Sequence, residues 1–177
     1  MNDVLATLEL EAVLGFMSQG GQILWWLAAV VVLTWLFVAE RVIYLAWSFP
    51  KEKQRWVSAW QQRGDHASWH ALAIRDGWVS EANLALYQNL NLIKVLVAIC
   101  PMLGLLGTVT GMISVFDVMA TQGSSDPKLM ASGISLATLP TMAGMVAALA
   151  GVFVHSRLTK TCQKTQLKLE QSLRSQR

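Results

Sequence analysis

Charge is scarce in this chain: of 177 residues, 14% are Asp, Glu, Lys or Arg, against 54% hydrophobic. That balance is lopsided for a soluble domain of this length and points to the membrane class. Lys and Arg are missing altogether from residues 1 to 40. A cleavable signal needs a basic start, and the acidic one here (Asp3, Glu9, Glu11) argues against it, so the first apolar run is expected to stay in the mature chain. Cysteine is equally sparse. Cys100 and Cys162 have no CxxC partner and read as free packing or surface thiols. No Ser/His/Asp set and no phosphate loop is present, which leaves an enzyme reading without support. His66 and His70 stand four apart, a spacing that could offer two metal ligands, but nothing nearby supplies a third and fourth. Neither a metal nor a cofactor is expected.

What the chain has instead is three runs without Asp, Glu, Lys or Arg: Ile23 to Ala39, Val95 to Phe116 and Leu129 to Val154. A hydrocarbon core of ~30 Å needs about 20 apolar residues at ~1.5 Å each. The second and third runs suffice outright, and the first does so if it continues past Glu40 and Arg41 to about Trp47. The fold class is therefore an all-α membrane protein with three transmembrane helices. Basic residues follow the first run (Lys51, Lys53, Arg55, Arg63, Arg75) and the third (Arg157, Lys160, Lys164, Lys168, Arg174, Arg177). The positive-inside rule then puts the N-terminus outside and residues 46 to 90 and the C-terminus inside. These cations orient the chain in a lipid bilayer; a nucleic-acid partner need not be invoked.

The pattern divides the chain into an outer amphipathic helix over 1–21, spans over 22–47, 92–120 and 128–156, an inner helical segment over 48–91, an outer turn over 121–127 and an inner helical tail over 157–177. Trp25 and Trp26 mark the outer headgroup level, Tyr44 and Trp47 the inner one. Glu40 and Arg41 read as a neutralising or snorkelling surface pair. Within the inner segment the composition predicts a helix to Arg63, a break at Gly64-Asp65, a short helix from Ala67 to Arg75, a turn at Asp76-Gly77, and a helix running unbroken from Val79 into the second span. Asp126 and Pro127 suit the start of the third span, which must tilt, bend at Pro140 or project beyond the bilayer.

Glycine in a membrane helix lets a neighbouring backbone approach closely. Gly104, Gly107 and Gly111 line one face of the second span, and Ala143, Ala147, Ala148 and Gly151 do much the same on the third. Thr108 and Thr141 lie well inside their spans, where hydroxyls can satisfy themselves on the carbonyl four residues back or line a thin polar path. No titratable side chain lies mid-span; Asp117 and His155 sit near span ends. A proton path here would need its carboxylate from another chain.

The stretch PMLGLLGTVTGMISVF, a short polar turn, and then ASGISLATLPTMAGMVAALAGVFV resemble the MotA/TolQ/ExbB proton-channel family, and within it most closely the ExbB members. The resemblance covers roughly Pro101 to Val154 and implies a ring of identical subunits, a pentamer, in the bacterial inner membrane. The ring would surround the helices of an ExbD-like single-span partner supplying a protonatable Asp, and would energise a TonB-like protein for outer-membrane transport of iron carriers. By motif position Thr108 and Thr141 would line the proton path, and Gly104, Gly107 and Gly111 would pack the ring. Two departures stand out: Leu136 occupies the place where ExbB members usually carry Glu, and the threonine follows Pro140 rather than a small residue. The shorter inner segment suggests a compact variant, of the kind found in a second TonB system. A TolQ-like role in envelope maintenance and a non-conducting membrane scaffold are the alternatives.

Overall fold

A computed structural model describes all residues except 1–10, 12–14, 16, 18–20, 63–67, 123–126 and 173–177. The elements are α1 (Gly21–Ile43), a single π-helical turn (Tyr44–Ser48), α2 (Phe49–Gln61), α3 (Trp69–Tyr87), α4 (Leu90–Gln122) and α5 (Pro127–Ser172). Most of the outer helix expected over 1–21, the Gly64-Asp65 break, His66, Asp126 and most of the turn over 121–127 lie outside the described residues.

Among the described residues, three helices are long and apolar enough to cross a membrane. Their exposed residues agree with lipid rather than water: Trp25, Trp26, Leu33, Leu105, Val109, Ile113, Val146 and Leu149 are all exposed. Apolar surface on that scale would drive a water-borne monomer to aggregate.

Pro50 explains the π-helical turn. It has no N–H to offer the carbonyl of Ala46, and the Phe49 N–H bonds to the Tyr44 carbonyl five residues back. The helix slips by one residue and continues as α2. α3 begins at Ser68, whose hydroxyl accepts from the His70 N–H. It then runs through Asp76 and Gly77 without a turn, so the expected break there is absent. Gly77 is tolerated inside a helix at modest cost, and the apolar residues on either side keep the helix docked. The expected unbroken passage from Val79 into the second span is also corrected. α3 ends at Tyr87, and Asn89 takes the left-handed conformation (φ 63°) before α4 starts. Asn is among the few residues that adopt this region readily.

The chain forms two compact units. One contains residues up to Thr34 together with Val95–Gly151; the other contains Trp35–Lys94 and residues from Val152 onward. In the second unit the end of α3 explains a buried charge. At the Asn89 break the last carbonyls of α3 lose their helical donors. Arg41 of α1 donates to the Ala85 carbonyl, and the Cys162 thiol of α5 donates to the Leu86 carbonyl at 3.3 Å. Arg41 is 1% exposed, and its guanidinium lies over the Tyr44 ring at 4.9 Å. Glu40 faces away from it and accepts from the Asn89 side chain at 3.2 Å. The expected surface pair is thus two separate ties to the joint between α3 and α4. Burial pushes the Cys162 thiol above its ordinary pKa, with nearby Arg41 opposing in part. Edge-to-face aromatic contacts, Phe49 with Trp56 and Trp60 with Trp78, pack the rest of this unit.

Candidate functional site

The first unit is built around the antiparallel pair α4 and α5. Six glycines set its register. A Cβ on Gly104 would stand 2.9 Å from both the Pro140 carbonyl oxygen and the Thr141 Cα. One on Gly111 would stand 2.7 Å from the Ala137 Cβ, and one on Gly144 2.6 Å from the Cys100 carbonyl oxygen. A Cβ on Gly107 would collide with the Pro140 ring, one on Gly133 with Val115, and one on Gly151 with Val97. An added side chain would clash at each of these points, so the two helices pack in close contact over about five turns.

In the structure, therefore, the face formed by Gly104, Gly107 and Gly111 is occupied by α5 of the same chain. Pro140 stands inside the continuous α5 helix, buried, and its ring fills the space that Gly107 leaves. Ala147 sits one step round α5 from this seam. With Ala143 and Leu103 it packs on the cluster of Leu24, Leu27 and Cys100, which brings α1 against the pair.

The hydroxyls divide into two kinds. Thr108 bonds the Leu105 carbonyl at 2.7 Å, Thr110 those of Leu106 and Gly107, Ser114 that of Thr110, and Thr138 that of Ser135, all within their own helices. Thr141 differs. Its hydroxyl crosses to the Gly104 carbonyl at 3.0 Å, where the missing Cβ leaves room for the approach.

Helical geometry places the two central threonines together. At about 100° per residue, Thr108 lies about 65° round α4 from the centre of the Gly104, Gly107, Gly111 stripe. By the same count Thr141 lies about 65° round α5 from the centre of the Ala137, Pro140, Gly144 stripe. Because the helices run antiparallel, both rotations lead to the same edge of the pair. Leu103, Ala143 and Ala147, the residues that meet α1, lie on the opposite edge. Thr108 and Thr141 are half-buried, on the edge that α1 leaves open. A hydroxyl that donates its proton to a carbonyl keeps two lone pairs for accepting. This edge is thus a row of acceptors in an apolar wall, with no titratable side chain in the middle of either span. Leu136 is exposed on α5 and adds no polar group.

Sequence reasoning missed Gly133 and Gly144, although Ala137, Gly144 and Gly151 recur at intervals of seven and could have shown the seam. It also assigned Arg41 to a surface pair with Glu40, because its actual partner is a carbonyl 44 residues away.

Residues 54–171 match the MotA/TolQ/ExbB proton channel family. The chain is 37% identical over 97 residues to the biopolymer transport protein exbB1 of Vibrio cholerae, covering 54% of this chain and 42% of the relative. It is 33% identical over 82 residues to the biopolymer transport protein ExbB of Helicobacter pylori, covering 46% of this chain and 57% of the relative. An ExbB-like biopolymer transport protein of Synechocystis is 38% identical over 80 residues, or 44% of this chain and 31% of the relative. The chain thus spans about half the length of the curated relatives it matches. With a family match that takes in the α4 and α5 seam and both threonines, this three-span, ExbB-like membrane protein belongs to the MotA/TolQ/ExbB proton channel family.

Proposed function

We propose that the chain is a non-enzymatic, ExbB-like subunit of an inner-membrane complex that converts the proton-motive force into work on a TonB-like protein, for outer-membrane transport of iron carriers. Copies form a ring, a pentamer, around the helices of an ExbD-like single-span protein. The N-terminus lies in the periplasm and the polar ends of the helices in the cytoplasm.

The observation that carries this reading is the open hydroxyl edge of a rigid helix pair that has no acid of its own. Proton transfer needs a titratable group and a chain of hydroxyls or waters to feed it. Thr108 and Thr141, held in place by the glycine seam, line the second as acceptors for its waters, and a partner's Asp supplies the first. Thr141 accepts a hydrogen bond from a path water through its lone pairs while its own O–H stays donated to the Gly104 carbonyl, so it orients the water that passes the proton on. The names of the relatives, biopolymer transport proteins, support the role in transport.

Purification of the tagged chain from its native membrane tests the reading. A single-span protein with an intramembrane Asp is expected in the complex at fixed stoichiometry. A homogeneous assembly of this chain with no such partner would contradict it.

A further inference from the structure

The last part of α5 carries a row of cations that the proton path does not use. Arg157, Lys160, Lys164 and Lys168 follow one another at intervals of three and four. At about 100° per residue they fall within an arc of about 80°, and at ~1.5 Å per residue the row is about 16 Å long. All four are exposed, while Leu158, Cys162 and Leu169, the buried residues of this stretch, lie on another face. No Asp or Glu stands three or four residues from any of the four, and Glu170 is held by the Gln166 amide at 2.9 Å. None of them is in a salt bridge among the described residues; Arg157 instead lies over the Phe153 ring at 5.3 Å.

This arrangement is unfavourable for an isolated helix. Lys160, Lys164 and Lys168 repel one another at four-residue spacing. None of them lies in the last turn, where the helix dipole would favour a cation. Membrane orientation calls for cations on this side of the span but not for their alignment on one face. The membrane's own headgroups reach only the near end of the row, at Arg157 and Lys160. The apolar run ends at Val154, and Lys164 and Lys168 follow at about 15 and 21 Å along a continuous helix, beyond a headgroup layer of ~5–8 Å.

We propose that this row is a docking surface for an acidic polypeptide segment of a partner protein. About five residues in extended form, at ~3.3 Å each, would match its length. Carboxylates there would neutralise the lysine repulsion, and exposed Leu167 at the flank offers an apolar contact beside the charges. The inference is independent of the proton path.

The test uses the full chain in discs of phosphatidylcholine and a labelled peptide of alternating Glu and Ala, followed by anisotropy. Wild type is compared with the triple variant Lys160→Gln, Lys164→Gln, Lys168→Gln and with Lys51→Gln, Lys53→Gln, Arg55→Gln, which removes the same charge elsewhere. About tenfold weaker binding in the first variant, under twofold in the second, and loss of binding with salt are expected. Equal weakening in the two variants would overturn the proposal. In cells, a photo-crosslinker at position 164 is expected to label an Asp- or Glu-rich segment of another protein. Labelling of lipid alone, or of a second copy of this chain, would overturn it as well.

Discussion

Replacing Gly104 by Ala tests the close approach on which the hydroxyl edge depends. The added methyl would stand 2.9 Å from the Thr141 Cα, short of the ~3.5–4.0 Å carbon contact distance by about 0.6–1.1 Å. Its other neighbour, the Pro140 carbonyl oxygen, is also backbone, so no rotamer change relieves the clash. The helices must separate at that level, at a cost of about 1–3 kcal/mol. The same separation stretches the Thr141 to Gly104 hydrogen bond beyond its 3.0 Å. Two results follow in SDS titrations of the micellar protein monitored by tryptophan fluorescence. Gly104→Ala destabilises by about 1–3 kcal/mol. Thr141→Val costs roughly 0.6 kcal/mol in the wild type and close to nothing in the Gly104→Ala background. Gly77→Ala is the control: a Cβ there meets nothing within 4 Å, and it should stabilise α3 by up to about 1 kcal/mol. If Gly104→Ala were as benign as Gly77→Ala, or additive with Thr141→Val, the close-packed seam would be refuted.

Other predictions concern the joint at the end of α3. Arg41→Ala should cost about 2–4 kcal/mol in the same titration, since it empties a buried site and orphans the Ala85 carbonyl. Asn89→Ala should cost about 1 kcal/mol or more, and Asn89→Gly less, because only the first forces a Cβ without Asn's polar contacts into the left-handed region. The raised pKa of Cys162 means the folded state favours the protonated thiol. Its contribution to stability is complete below the ordinary thiol pKa and is lost as pH rises through the raised value. Maleimide labelling of Cys162 in the folded protein should therefore stay slow at pH values where an exposed thiol reacts fast.

How legible this was in the sequence depended on how local the cause was. Long apolar runs follow from the chemistry of lipid, and three such helices were readable from composition alone. The motif PMLGLLGTVTGM led to the family that the comparisons show. Helix ends were harder. Asp76-Gly77 looks like a turn, yet neighbouring packing holds it in α3, while the real break at Gln88-Asn89 has no Gly or Pro to announce it. Arg41 beside Glu40 invited a surface pairing, because its actual partner, the Ala85 carbonyl, is distant in the chain. On α5 the alanines drew attention, although Ala143 and Ala147 meet α1 and the glycines meet α4. Two faces of one small-residue helix look alike until the partner helices are placed.

The most direct test of the account is proton flux in vesicles holding a pH-sensitive dye. This chain, alone and together with the Asp-bearing single-span protein purified with it, would be energised by a potassium diffusion potential. The account predicts no flux from this chain alone, flux from the complex, loss of that flux in Thr141→Val and Thr108→Val, and its retention in Thr141→Ser. Equal flux from the valine variants and the wild-type complex, or flux from this chain without its partner, would contradict it.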